Sequence, residues 1–594
     1  MEIIMKHLYQ IATKHKALIL LFISMGLVIA FLQGFAPRYF QTIVDGFTDG
    51  GLTGLNIAIY GTALILLYIL NYAHEYPWRK LDHSIRLGLK LAALKKVSVI
   101  DYLAYTKLGT GMLIQRIENG SAAGGSILFG FYLHLAAVLL PGMIFSIIFV
   151  FTISQGVTIA ILLGYLVVFV ISNLLLKALY RVKERILVNE EKFNHFLVRG
   201  FMEMVVFRIN RRFFHEISKA DAAAGEIVAS SVKMSMVHEA FFAIFAVIVG
   251  FAKIGIIVFG WRTDALTIGQ IVALIVLVDN AYQPIAIFNV LYVQFKLDKI
   301  AFGRYTEFLD AEDEVRLMSL GRDGKPHASS EFPTTGQASL NRNYNNTLAK
   351  ITSTATSPPV ICFSNVGFSY NDRQILSDFN LSIQPGTSTA FVGESGSGKS
   401  TAIKLLVGLL TPGGGTVTVE GTNLAQVNLN DYYKHIAYLP QEPSIFDGSL
   451  RENLVFDNMY EDAALIDAIE KVKLGGLLAK LGQGLDTPLG EKGISLSGGE
   501  RQQLALARLW FTDAKIIILD EATSAIDNLT EEAVMGSVMS QLTGKTVIAI
   551  AHRLDSVRGF DNIIVFQDGR VVEDGRFDEM LVNKGHFYEL YNRG

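Results

Sequence analysis

The sequence predicts a two-part chain. An α-helical membrane domain with six spans and long cytoplasmic helix extensions is followed by an α/β P-loop domain. Three observations carry this prediction. The composition is 51% hydrophobic and only 18% charged over 594 residues, with a mean hydropathy of +0.37, whereas soluble domains carry about 25% charged residues. The long apolar runs all fall in the first half. The second half holds Gly393-Glu394-Ser395-Gly396-Ser397-Gly398-Lys399-Ser400, followed by Thr401, between a β-prone run and a helical one. This string fits G-x-x-x-x-G-K-[ST], and strand–loop–helix is the context that motif requires.

From the N-terminus, residues 1–16 form a short cationic lead-in with Lys6, Lys14 and Lys16. Its Ile3, Ile4, Leu8, Ile11 and Ala12 suit an amphipathic helix lying on a surface. Spans are expected near 17–36, 54–74, 129–151, 157–179, 236–260 and 267–291, each close to the roughly 20 residues that cross a bilayer. The first run is long and is closed by no small-x-small cleavage site, so it reads as an uncleaved span rather than a signal peptide. Segments 75–128 and 180–235 are rich in Lys and Arg, while the loops near 45–53 and 152–156 have none and the loop near 261–266 has only Arg262. This bias places both termini and the two long segments in the cytoplasm. Those segments have few Gly or Pro breaks and helical patterning, so they read as span helices continuing out of the bilayer. The expected turning points are 109–119 and 203–210.

Charge inside a span is costly and is a functional hypothesis by default. Asp279 lies mid-span with Asn280 and Gln283 beside it, and Lys253 lies at a comparable depth in the preceding span. These four residues are candidates for lining an internal cavity, with Lys253 and Asp279 paired. A purely structural pair is the competing reading.

Residues 1–310 form the expected membrane domain, 311–358 a polar linker without periodicity, and 359–594 the α/β domain. Cys362 is the only cysteine, which excludes intrachain disulfides and multi-cysteine metal sites; it reads as a small buried residue opening a strand. The net charge of -3 points to no nucleic-acid partner.

Glycines in 393–398 let the backbone curl so that N–H groups face phosphate oxygens, and the following helix adds its positive end. Lys399 would reach the β/γ-phosphates, and the Ser400 hydroxyl would ligate Mg²⁺. The run Ile516-Ile517-Ile518-Leu519-Asp520-Glu521 describes a buried parallel strand that delivers two carboxylates to the nucleotide edge of a sheet. Asp520 would hold Mg²⁺ and Glu521 would polarise an attacking water. Between these motifs lies Leu496-Ser497-Gly498-Gly499-Glu500-Arg501-Gln502-Gln503, a helix start able to offer backbone N–H groups to an anion.

Taken together, these strings resemble the nucleotide-binding ABC ATPase domain of ABC transporters, and the whole chain resembles an exporter-type half-transporter. Leu496 to Glu500 is similar to the family signature. The resemblance implies that Tyr370 stacks on adenine and that Gln441 contacts Mg²⁺ and senses the membrane domain. It further implies that Ser524–Asp527 is the D-loop and that His552 contacts the γ-phosphate. Gly490-Glu491-Lys492-Gly493 is similar to an exporter-specific loop. The two turning points are similar to coupling regions, the second only loosely. Gly120 in place of a common Asp, Ile526 in place of Leu, and the long linker depart from the pattern.

The resemblance implies two domains sandwiching two ATP molecules, each between one chain's P-loop and the other's Ser497–Gly499. A homodimer is expected, with a heterodimer as the alternative. The expected function is ATP-driven export of a small amphipathic or hydrophobic molecule, lipid or peptide. An exporter-shaped importer of a siderophore-like ligand is the main rival, and an ATP-gated channel or regulator a lesser one. The lack of an N-terminal peptidase domain weakens the expectation of a processing-type peptide exporter, and the short N-terminus without a transit-like segment suggests a bacterial inner membrane.

Overall fold

The computed structural model describes all residues except 1, 109, 264, 318, 321–325, 328–359, 457, 491–495, 552 and 594. Most of the expected linker lies outside the described residues. The chain divides into two compact units, one of Met1–Ser98 with Leu108–Ala311, the other of Val99–Lys107 with Glu312–Gly594.

The first unit is helical throughout. Its main elements are α1 (Glu2–Lys14), α2 (Lys16–Thr48), α3 (Gly54–Val97), α5 (Thr110–Gly125), α6 (Leu140–Ile153), α7 (Gln155–Met202), α8 (Met204–Ile209), α9 (Phe213–Thr263) and α10 (Ile268–Leu309); α4 (Tyr102–Leu108) falls almost wholly in the second unit. Among the described residues five helices are long and apolar enough to cross a membrane: Lys16–Thr48, Gly54–Val97, Leu113–Ile153, Phe213–Thr263 and Ile268–Leu309. The fourth expected span begins in the shorter apolar stretch Gln155–Val168, and most side chains of its remainder lie outside the described residues.

Length shows why the polar segments belong to the spans. At 51 residues and a rise of 1.5 Å per residue, α9 is about 76 Å long, against a hydrocarbon core of about 30 Å. The long helices therefore carry their Lys/Arg-rich ends well past any bilayer. Where α5 runs into the third span the winding is π-helical, over Ser126–Leu133 and Leu135–Leu139. Phe131 of this stretch stacks on Phe295 of α10 at 4.4 Å.

Two expectations need correction. The first turn does not fall at 109–119, most of which is continuous helix; the chain breaks earlier, between Val97 and Tyr102. The stop of α3 is made by Ser98 at its end and by Asp101, whose carboxylate accepts from Ala104 N at 2.9 Å. The lead-in helix does not simply lie on a surface either. Leu8 is fully buried, and His7 meets Asp310 at 3.0 Å. The second turn is the short helix α8, within the expected 203–210.

The second unit is α/β. Besides a two-residue pair, Ser319–Leu320 with Pro326–His327, its strands are β1 (Ile361–Tyr370), β2 (Arg373–Ile383), β3 (Ser388–Gly393), β4 (Gly414–Val419), β5 (Thr422–Asn423), β6 (Ile436–Leu439), β7 (Ile516–Asp520), β8 (Thr546–Ile550), β9 (Asn562–Gln567) and β10 (Arg570–Gly575). A six-stranded sheet runs β10-β9-β3-β8-β7-β6, parallel except for the edge strand β10. A four-stranded antiparallel sheet runs β2-β1-β4-β5.

The larger sheet is buried on both faces, and its residues alternate between two cores. Ala390, Val392, Ile517, Leu519, Val547 and Ala549 face one core; Phe391, Ile516, Ile518, Ile548 and Ile550 face the other. This is why its strands read as unbroken apolar runs. Cys362 is half-buried rather than buried, because Ile361 and Phe363 on either side take the inward face of β1.

The segment Val99–Lys107 is built into this unit. Ile100 bridges Asp313, Glu314 N donates to Val99 O at 2.7 Å, and Asp101 N donates to Glu312 O at 3.0 Å. Tyr102 and Leu103 pack against the second core.

Candidate nucleotide site

The site is assembled at one edge of the parallel sheet. Gly393 ends β3, Gln441 follows β6, Asp520 ends β7 with Glu521 next in sequence, and Ala551 follows β8. The carboxyl ends of adjacent parallel strands are where open α/β sheets bind ligands. His552 lies outside the described residues.

The loop 394–398 links β3 to the helix Lys399–Leu406, here α11. Gly393, Gly396 and Gly398 have φ of +141°, +85° and +107°, a region that favours glycine. At Gly393 space adds to the constraint, since a Cβ there would lie 2.3 Å from Phe566 O. Lys399 is buried, and its Nζ donates to Gly393 O at 2.7 Å, Glu394 O at 2.9 Å and Ser397 Oγ at 3.3 Å. Burial lowers its pKa, opposed by the Glu521 and Asp520 carboxylates. Ser397 and Thr401 are buried, whereas Glu394, Ser395, Gly396 and Ser400 are exposed. Tyr370, half-buried at the end of β1, packs edge-on to Phe368 at 4.9 Å.

The acidic pair is held tightly. Tyr438 donates its hydroxyl to Asp520 Oδ2 at 3.1 Å. Burial, with the Asp520 charge, pushes the Tyr438 pKa up and keeps that hydroxyl a donor. Gln441 Nε2 donates to Glu521 Oε2 at 2.6 Å. Glu521 itself sits at φ +51°, a left-handed conformation that costs about 1–3 kcal/mol in a non-glycine residue and persists where neighbours enforce it. Its N–H donates to Ile550 O at 3.2 Å.

Ser497 caps the helix Gly498–Ala507, here α12, in a reciprocal box. Ser497 Oγ accepts from Glu500 N at 3.3 Å, and Glu500 Oε2 accepts from Ser497 N at 2.7 Å. Those bonds hold the Glu500 carboxyl below its usual range. Gly499 passes close to the D-loop, where a Cβ would lie 3.0 Å from Ala525 O. Asp527 caps the helix Asn528–Gln541, here α13, accepting from Thr530 N at 3.0 Å. Of Gly490–Gly493 only Gly490 is described.

The structure thus joins Gln441 to Glu521, sets Lys399 in the field of both acids, and gives Glu500 and Asp527 capping duties. Sequence reasoning overlooked Tyr438 and the pair Glu531–Arg553. Glu531 accepts from Arg553 Nη1 at 2.6 Å and from Thr523 Oγ1 at 2.7 Å, and Arg553 also reaches Asn528 Oδ1. Arg553 directly follows His552 in sequence, a place that could have drawn attention to it.

The oxygen donors of Ser400 and Asp520, with the amide oxygen of Gln441, form a hard set of the kind that suits Mg²⁺. Among the described residues no three His, Cys, Asp or Glu side chains gather into a metal cluster. The residues present fit a cation held jointly with phosphate oxygens.

A sequence profile described as "ABC transporter" matches residues 376–524. The second unit therefore carries an ABC transporter domain over residues 376–524. A lactococcin transport/processing ATP-binding protein LcnC-like of Lactococcus lactis subsp. lactis (strain IL1403) is 27% identical over 598 residues, covering 98% of this chain and 78% of that protein. Leptomycin B resistance protein pmd1 of Schizosaccharomyces pombe is 40% identical over 233 residues, 38% of this chain. Those matched residues are 17% of pmd1, and the same share holds for ABC transporter B family member 2 of Dictyostelium discoideum. The solved structure of a bacterial Atm1-family ABC exporter with ATP bound superposes with a TM-score of 0.76 at 22% identity, covering 99% of this chain and 98% of that one. Apolar helices ahead of one α/β unit give the chain the same fold as that exporter.

Proposed function

We propose that the chain is an ATP-driven exporter that works as a homodimer in a bacterial inner membrane. The observation that carries this reading is the acidic pair at the strand ends, with Glu521 held by Gln441 and Asp520 by Tyr438, in a chain whose other unit is made of long apolar helices. The phosphate-binding loop, the capped signature helix and the water-activating glutamate are all present, so a dimer would hold two hydrolytic sites.

In each site ATP would lie on the loop 393–398, with Tyr370 against adenine and Lys399 toward the β- and γ-phosphates. Ser400, Asp520 and Gln441 would hold Mg²⁺, which when bound neutralises phosphate charge. Glu521 orients a water for in-line attack and takes its proton as the new P–O bond forms. The bond from the γ-phosphorus to the β,γ-bridging oxygen breaks, and ADP and phosphate leave. Ser497–Gly499 of a second copy and His552 would close over the γ-phosphate. Closure and release would drive the spans between inward- and outward-facing states.

Lys253 and Asp279 meet at 2.7 Å in the spans, with side chains 29% and 52% exposed, and Asn280 Nδ2 donates to Gln33 O at 3.1 Å. Gln283 is exposed one turn further along the face that carries Asp279. Charge at that depth is too costly to face lipid, which supports an aqueous cavity or an interface with a second copy. Such a cavity would suit an amphipathic small molecule, a lipid or a peptide.

Metabolite profiling of cells carrying the wild type or Glu521→Gln tests the reading. A compound that accumulates inside the variant's cells and is missing from their medium identifies the cargo. A compound depleted inside and left in the medium would replace export with import.

A further inference from the structure

We infer that Gln502 is the positioning residue that locks four motifs of the ATP site into one unit and thereby sets the rate of hydrolysis rather than the affinity for nucleotide. The inference rests on reading this domain as an ATPase.

Gln502 lies in α12 and is only 4% exposed. Its Oε1 accepts from Ala525 N at 2.8 Å. Its Nε2 donates to Ser524 Oγ at 3.0 Å and lies 3.3 Å from Gln441 O and 3.5 Å from Glu521 O. One side-chain amide therefore touches the Gln441 loop, the peptide of the water-activating glutamate and the D-loop, and it does so from the helix that Ser497 caps.

An amide alone suits this place. It offers one acceptor and two donor hydrogens on a planar group, against one backbone N–H and a cluster of oxygens. Glutamate has the same shape, but when ionised it has no donor and would set negative charge against the carbonyls of Gln441 and Glu521. Leucine fills similar space and leaves those groups unsatisfied, which in a buried place is expensive.

The consequence runs through Glu521. Its left-handed backbone, φ +51°, must be held by its surroundings. Ile550 O holds its N–H side, and Gln502 lies against its carbonyl. Loosening that hold lets the carboxylate leave its line with the water while the phosphate-binding loop stays intact. Ser524 and Ala525 are two and three residues before Asp527, so the same amide also sets the entry to the D-loop.

The full-length protein, purified in detergent and returned to lipid vesicles, tests this. Phosphate release is followed between pH 5.5 and 8.5 for wild type, Gln502→Glu, Gln502→Leu and Glu521→Gln, with binding of a fluorescent ATP analogue measured alongside. At pH 7.5 Gln502→Glu should lose roughly 10–100-fold in kcat, the range of a mispositioned catalytic group, with nucleotide affinity within about twofold of wild type. Its kcat relative to wild type should rise as the pH is lowered across this range, since a buried glutamate that regains a proton regains a donor. Gln502→Leu should be slow at every pH. A Gln502→Glu profile parallel to wild type, or a loss confined to nucleotide affinity, would overturn the role. Wild type no faster than Glu521→Gln would bring down the ATPase reading and this inference with it. Hydrolysis by wild type together with an unaltered Gln502→Glu would remove the inference alone.

Discussion

The two units spend polar groups in different ways. In the nucleotide-binding unit polar side chains converge at one sheet edge, and each is fixed by partners. Lys399 is bonded to three oxygens, Glu521 to Gln441, and Ser497 to Glu500. In the membrane unit the described charges Lys253 and Asp279 pair with each other, amid apolar packing such as the Phe31, Phe145 and Phe149 cluster. Chemistry that must be the same for every cargo is written in short strings with strict geometry. On the proposed reading, recognition of a cargo would be spread over surfaces where a methyl group more or less shifts preference. A motif can name the first and says little about the second.

Four changes test that contrast. The largest effect is expected from Glu521→Gln, which removes the base. ATP turnover should fall by about 10²–10⁴-fold while nucleotide still binds, and equal loss of binding would show that the residue shapes the pocket instead.

Next is Arg316→Met. Arg316 binds Glu314 at 2.8 and 2.7 Å and reaches Gly408 O at 2.7 Å, with both side chains largely buried. Burial would raise the Glu314 carboxyl, but the hydrogen bonds and charge of Arg316 overrule it and hold it below its usual range. The stability this pair gives is present above the ordinary carboxylate pKa and is lost as pH falls through the lowered one. Without Arg316 about 3–5 kcal/mol should go at neutral pH. Burial then raises Glu314 unopposed, so mild acid should restore part of the loss. Melting curves at pH 7.5 and 5 read this; a variant that only weakens further in acid would contradict it.

Lys253→Met should follow, leaving Asp279 unpaired at a cost of about 2.5–3.5 kcal/mol, seen as lost folded protein in membranes. Adding Asp279→Leu should restore the yield. If the restored double variant also exports normally, the pair is structural and the cavity lies elsewhere.

The smallest effect is expected from Ser497→Ala, which loses a helix cap worth about 1 kcal/mol. A drop in ATP turnover far beyond that loss of stability would place Ser497 on nucleotide as well as on its own helix.

Much of the nucleotide unit could be read directly. Ile516 to Glu521 announces a buried strand ending in acids, and Gly393 to Ser400 announces a loop that only glycine can follow. The turn after α3 could not be placed the same way. The tip expected at 109–119 is mostly helix, whereas α3 stops at Ser98–Asp101, where the backbone of Val99–Asp101 is claimed by Glu312–Glu314, more than 200 residues away.

By itself the sequence determined the long apolar helices, the glycine-rich turn at 393–398, the buried strand that ends in Asp520 and the helix start at Ser497. Each of these is set by local patterning, by glycine's access to positive φ or by the cost of charge in lipid. Tertiary structure alone decided that Tyr438 holds Asp520, that Glu531 and Arg553 pair, that Gln502 binds three motifs at once, and that Val99–Lys107 belongs to the nucleotide-binding unit. Those contacts join residues far apart in the chain, and hydrogen-bond geometry, which has no one-dimensional period, selects among them.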